Sequence, residues 1–371
     1  MGGSIVRYFP GGNTPNGYIS LFERIIPWSD AKKIIIIKGG PGVGKSSFMK
    51  IIAKDLLKQG FNLEFLHCSA DNGSIDGLLI TDLDIILLDG TAPHMMDPKY
   101  PGCIDEIINL GNYWNEDGIR QNREQIISLQ NEISVCYKRA YNYLKAARII
   151  LDDLKQVYNN AIDVHQLNDL MDEVVDKTFE GASKKNKISR QRNMFASAIT
   201  HDGPVHYLDS LFWNIQKRFI VTGFPGTGKS VLMKKIVNIA VQKGLDVDVF
   251  LCPMEPEKIE HIIIKDLNVG FVTSVKPHVL TRIKDSDELI DFNKVLVSSK
   301  INGYEEVINY NNSVFWDLYY RAVKYLDYAK KFHDELERYY VANMDFNKID
   351  EIRDKTFAKI LKYAYAESYS K

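Results

Sequence analysis

An eight-residue glycine-rich signature occurs twice in the chain, and this duplication limits the possible folds more than any other feature. Gly39-Gly-Pro-Gly-Val-Gly-Lys-Ser46 returns as Gly223-Phe-Pro-Gly-Thr-Gly-Lys-Ser230, a shift of 184 residues. The same shift runs without a gap to His94 and His278, matching Gly60 with Gly244, Cys68 with Cys252 and Pro93 with Pro277. Further on the shift is 182, pairing Arg139-Ala140 with Arg321-Ala322, and then 178, pairing Asp176-Lys-Thr-Phe179 with Asp354-Lys-Thr-Phe357. Upstream, Thr14 and Gly17 match Thr200 and Gly203. The polar stretch 181–190 reads as a solvated linker. The expected domains are therefore 1–186, with a core over 1–104 and a helical arm over 105–180, and 187–371, with a core over 187–286 and an arm over 287–371. A chain of 371 residues that is 45% hydrophobic can fill two such cores.

Around each signature the pattern is strand, loop, helix, strand, strand. Lys33 to Ile37 is a continuous aliphatic run, as in a parallel strand buried on both faces. Met49, Ile52, Ala53 and Leu56 then repeat at helical spacing, as do Met233, Ile236, Val237 and Ala240. Gly60 and Gly244 stand where a left-handed helix terminator belongs. Leu63 and Phe65, Val247 and Val249, and Ile85 to Leu88 read as further strands. The expectation is a duplicated α/β P-loop fold, doubly wound on a mainly parallel sheet. Beyond residue 105, Ala140, Leu144, Ala147, Leu151, Leu154 and Tyr158 form a helical seam, matched by Ala322, Leu326, Ala329, His333, Leu336 and Tyr340. Each seam is expected to be a helical hairpin appended to its own copy, either a packed layer or a lid.

The signature has the form GxxxxGK[ST]. Its glycines let backbone N–H groups converge on phosphate oxygens at a helix N-terminus. Nucleotide contacts are expected from Gly39, Gly40, Pro41, Gly42, Val43, Gly44, Lys45, Ser46 and Ser47, and from Gly223, Phe224, Pro225, Gly226, Thr227, Gly228, Lys229, Ser230 and Val231. Lys45 and Lys229 would reach the β- and γ-phosphates. Ser46 and Ser230 would ligate Mg²⁺. Asp89, ending an apolar strand, supplies the metal-side carboxylate in the first copy. Thr273 replaces it in the second. Asp71, matched by Glu255, ends the preceding strand and would orient water or accept a proton; a turn residue there is the plainer alternative. His94 and His278 would sense the γ-phosphate or substrate, or simply pack in a loop. Arg139 and Arg321 correspond on the seam and are candidate lid arginines, although most helix arginines are solvated or paired. Asn347-Lys-Ile-Asp350 fits the guanine-reading NKxD pattern, but it lies in a polar helical stretch with no buried strand before it and is read as chance. ATP is the preferred nucleotide.

Composition narrows the setting. Lys+Arg number 47 and Asp+Glu 48, so no global basic surface points to nucleic acid, although a local patch stays open. Cys68, Cys103, Cys136 and Cys252 form no CxxC pair and read as reduced thiols. The longest aliphatic runs are too short to span a bilayer, and the first residues lack the apolar core of a signal peptide. A cytoplasmic, non-membrane protein is expected.

The two glycine loops, Asp89-Gly-Thr-Ala-Pro-His94, Asp97-Pro-Lys-Tyr-Pro-Gly102 and Phe195-Ala-Ser-Ala-Ile-Thr200 make the whole chain similar to a group of bacterial tandem P-loop proteins, variously labelled ATPases or nucleotide kinases. The resemblance implies a P-loop fold and ATP binding, with no acceptor named. The second copy's Thr273-Ser-Val-Lys-Pro-His278 departs from the Asp-Gly-Thr-Ala-Pro-His pattern, which puts hydrolysis there in doubt. The leading expectation is a Mg²⁺-dependent ATPase acting mainly at the first site and moving its helical arms. The alternatives are a small-molecule or nucleotide kinase with Asp71 as base, and a non-enzymatic nucleotide-dependent scaffold or sensor. The matched copies are expected to pack as an intrachain pseudo-dimer.

Overall fold

The structure, a computed structural model, describes residues 2–92 and 96–368. The first repeat runs β1 (Ile5–Tyr8), β2 (Gly11–Thr14), β3 (Gly17–Ser20), β4 (Lys33–Lys38), α1 (Lys45–Lys58), β5 (Leu63–His67), β6 (Ile75–Ile80), β7 (Ile85–Asp89), β8 (Asp105–Asn109), α2 (Glu116–Arg120), α3 (Arg123–Asn159) and α4 (Val164–Phe179). The second runs β9 (Gln191–Met194), β10 (Ser197–Thr200), β11 (Gly203–His206), α5 (Leu208–Phe212), β12 (Lys217–Thr222), α6 (Lys229–Gln242), β13 (Val247–Cys252), β14 (Glu255–Ile264), β15 (Val269–Thr273), β16 (Glu288–Asp291), α7 (Glu305–Val341) and α8 (Phe346–Ser368).

Each repeat builds one six-stranded sheet, ordered β1-β5-β6-β7-β4-β8 and β9-β13-β14-β15-β12-β16. Every neighbour is parallel except β6 and β14, which run antiparallel to both of theirs. The architecture is α/β on two mixed, mostly parallel sheets. The aliphatic runs of β4 and β7 are buried along their length, as in strands covered on both faces, and β5 is buried with them. The apolar stripe of α1 (Met49, Ile52, Ala53 and Leu56) is buried, as is that of α6. Gly60 and Gly244 end these helices with φ of +92° and +73°. β6 and β14 were not foreseen: Ile75-Asp-Gly-Leu-Leu-Ile80 lacks strict alternation, and the Asp71-Asn-Gly-Ser74 turn signal before it was not used.

The compact units are not drawn at the repeat boundary near 186. One comprises Met1–Gly12, Ser20–Lys138 and Tyr325–Lys371; the other comprises Asn13–Ile19 and Arg139–Lys324. Each joins the sheet of one repeat to the terminal arm helices of the other. In the first unit α8 sends Ile349 and Ile360 into the core of Ile35, Met49, Ile52 and Leu56. In the second, α4 sends Met171 and Val174 among Phe219, Leu232, Met233 and Ile236. The expectation that each hairpin caps its own copy is corrected accordingly. Periodicity shows that a helix has an apolar face. It does not say which of two equivalent cores covers it. No helix among the described residues is long and apolar enough to cross a membrane.

Candidate functional site

In the first unit the loop after β4 turns through Gly39, Gly42 and Gly44 at φ of +154°, +69° and +91°. Only glycine takes such values without strain. Gly44 caps α1 and, having no side chain, leaves the leading N–H groups uncapped by it. Lys45 Nζ folds back to the carbonyls of Gly40, at 2.8 Å, and Gly39, at 3.4 Å, and lies 3.6 Å from Asp89 Oδ2. Register pairs Ile37 with Asp89, which places the carboxylate beside the loop. Asp89 Oδ1 accepts from Thr91 N and Oγ, at 2.9 and 2.5 Å, which turns Oδ2 toward the lysine. Burial raises the pKa of Asp89, and the Lys45 charge opposes that rise. Ser46 Oγ accepts from Ile75 N at 3.1 Å, holding the hydroxyl at the head of α1.

The second loop repeats this backbone, with Gly223, Gly226 and Gly228 at φ of +135°, +83° and +98°. Lys229 Nζ lies 2.6 Å from the carbonyls of both Gly223 and Phe224. Thr273 holds the register position of Asp89, opposite Val221. It spends its polar groups on β14: Oγ1 donates to Glu260 O at 2.6 Å, and N donates to His261 Nδ1 at 3.1 Å. Burial, with Lys258 nearby, lowers the pKa of Lys229 to about 7.

Both loops carry the end of an arm helix from the other repeat. A Cβ on Gly42 would meet Val341 Cγ2 at 2.9 Å and Glu337 O at 3.0 Å, and one on Gly226 would meet Lys155 O at 2.4 Å. Tyr158 stacks on Phe224, ring centroids 4.7 Å apart, and a Cβ on Gly40 would meet Tyr340 Cε1 at 2.9 Å. Gly42 and Gly226, Glu337 and Lys155, and Tyr340 and Tyr158 are repeat counterparts, so equivalent helix positions seat on equivalent loop positions. The charge differs: a lysine rests on the second loop and a glutamate on the first.

Other expected residues are placed as follows. Asp71 shapes the β5–β6 turn, accepting from Gly73 N at 3.2 Å and Ser74 Oγ at 2.9 Å, and faces Lys330 at 3.8 Å. Its counterpart Glu255 is buried against Lys155 at 2.5 Å, Lys258 at 3.0 Å and Arg148 at 3.5 Å. Burial alone would raise the pKa of Glu255, but Lys258 and Lys155 bring it down. Arg139 is exposed on α3; Arg321 is exposed on α7 and paired with Asp317 at 3.0 Å. The NKxD segment lies on α8, where Asp350 pairs with Arg353. His94 lies outside the described residues.

Two cavities flank the second loop. One, of about 510 Å³, lies along Gly226 to Val231 and is lined by Arg148, Lys155, Lys234 and Lys258 among its charged residues. The other, of about 520 Å³, is mostly apolar and includes His278, Glu260 and Tyr319 in its wall. Lys229, Ser230, Glu255 and Lys258 line both. Arg148, Lys155, Lys258 and Glu260 were not singled out from the sequence. A signal existed for Arg148: shifted by 182 it matches Lys330, and each faces the matched acid, Glu255 or Asp71.

Comparison with protein-family models, with curated proteins and with solved structures finds no match.

Proposed function

We propose that the protein is a tandem P-loop NTPase that binds ATP at both glycine loops and hydrolyses it at the first. The observation that carries this reading is the approach of Lys45 Nζ to within 3.6 Å of Asp89 Oδ2, beside a helix head capped by glycine. The residues there fit a magnesium ion. Ser46 and Asp89 would hold it, directly or through water, and the ion would neutralise charge on the β- and γ-phosphates. The chain's own part is positional. The loop N–H groups cradle phosphate, Lys45 can leave its carbonyl partners for a phosphate oxygen, and the half-buried position of Asp89 limits water around it. The second loop has the cradle and the lysine, but Thr273 offers no carboxylate, so binding there outlasts turnover. Its apolar cavity beside Lys229 favours a second reading at that loop alone, namely phosphoryl transfer to a small molecule.

Phosphate release from ATP, with bound nucleotide counted per chain, tests the assignment. Asp89→Asn should cut turnover on the order of 10²–10³-fold with occupancy kept. Glu255→Gln should leave most of the turnover. If Glu255→Gln alone abolishes it and Asp89→Asn is silent, the asymmetry is reversed.

A further inference from the structure

The apolar cavity of the second unit has a wall built for more than packing. Its body is formed by Leu154, Tyr158, Phe224, Phe315 and Trp316, a volume of about 520 Å³ in the range of small-molecule sites. At its polar end three groups lie nine-tenths or more buried: Glu260, His278 and Tyr319. Glu260 Oε2, His278 Nε2 and Tyr319 Oη make no hydrogen bond. A buried polar atom left unmatched is costly, so three in one wall favour a guest that supplies partners. Lys229, Lys258 and Lys276 stand against Glu255 and Glu260 in the wall, a near balance of charge. A guest with a net charge therefore gains little.

Glu260 sits 3.5 Å from His261 Nε2, with its other oxygen 4.0 Å from His278 Nδ1. Burial would raise the pKa of this carboxyl, but the two histidines hold it well below the usual carboxylate range. It stays a carboxylate, and each of its oxygens keeps a lone pair for a further donor. Burial pushes the Tyr319 phenol up, so it stays a neutral donor. One hydroxyl can satisfy both, donating to Glu260 and accepting from Tyr319.

The geometry points to this cavity as the binding site of a small, uncharged alcohol with a planar apolar body, its hydroxyl lodged between Glu260 and Tyr319. The four residues shared with the loop groove link the two ligands, so the alcohol and ATP change each other's affinity by the same factor. That linkage rests on the second loop being a nucleotide site; the cavity itself does not.

The test uses the intact chain and the fluorescence of 1-pyrenemethanol, with pyrene as the comparison lacking a hydroxyl and ATP binding measured separately by calorimetry. Saturable 1:1 binding of the alcohol is expected, five- to tenfold tighter than pyrene, a difference of about one hydrogen bond. Tyr319→Phe should remove most of that preference. Leu154→Trp should fill the cavity and abolish binding, with circular dichroism confirming that it folds. No saturable binding, or binding unchanged in folded Leu154→Trp, overturns the site. Equal affinity for pyrene and its alcohol overturns the hydroxyl assignment. If the alcohol and ATP both bind without shifting each other's affinity, the linkage fails. Alcohol binding in a chain that does not bind ATP leaves the cavity assignment standing and defeats the nucleotide reading instead.

Discussion

Lys229 shows how surroundings assembled only by the fold reset a residue. Lys45 has Asp89 at 3.6 Å; in the second copy Thr273 holds that register position, and Lys229 is buried near another lysine, Lys258. Its pKa is about 7 in the folded chain, against 10.5 for the unperturbed group. The unfolded chain therefore holds one more proton between these values, and this residue's contribution to stability rises with pH across that window. Phosphate binding runs the other way, because a triphosphate needs the charged amine. In a Lys45→Ala chain, which isolates the second loop, ATP affinity should fall as pH rises from 7 to 9, by at most tenfold per unit. Proton uptake should approach one at the upper end. Calorimetry in buffers of different ionisation heat measures this, and Lys229→Met should remove the uptake. The lysines were legible because the glycine signature names them. The charge state of Lys229 was not, because it depends on Lys258, which reaches it only through the fold.

Among the elements, the ends of α3 and α7 decide how the loops differ. The seam from Ala140 to Tyr158 was legible as a helix because its apolar positions recur at helical spacing, and Ala140, Leu144, Ala147, Leu154 and Tyr158 are indeed buried. Its seat on the second loop was not legible, since a period carries no address. Lys155, its ammonium paired with Glu255 and Asp152, lines the groove along the second loop, while a glutamate, Glu337, holds the equivalent place on the first. Lys155→Glu should weaken ATP binding at the second loop by about 1 kcal/mol, and Glu337→Lys should strengthen it at the first by a similar amount, both effects shrinking in high salt. Nucleotide titrations at two ionic strengths check this. Gly226→Ala should cost about 1–3 kcal/mol of stability, because a methyl group there meets the Lys155 backbone and the position has φ of +83°. Thermal unfolding reads that loss. An unchanged midpoint would mean that the helix does not rest on the loop.

For the whole molecule, the exchange of arms makes the halves interdependent. Residues 1–186 alone lack Ile349 and Ile360 from their core, and residues 187–371 alone lack Met171 and Val174. Neither fragment should give a cooperative thermal transition as a monomer. Co-expressed, they should recover one, seen by calorimetry on a 1:1 species from size exclusion. Two independently stable monomeric halves would contradict the exchanged units. The repeats were legible as repeats because they share motifs at fixed spacing; the unit boundaries were not, because they follow contact rather than order.

The exchange also places a clock on synthesis. The first sheet is complete in the growing chain by Asn109, yet α8, which covers part of its core, begins at Phe346 near the end of the chain. At roughly 5–20 residues per second, a ribosome takes on the order of 10–50 s to make the chain between them. Through that interval the N-terminal core waits with an apolar face open to chaperones or to a neighbouring nascent chain, and a premature stop before α8 would leave it waiting permanently.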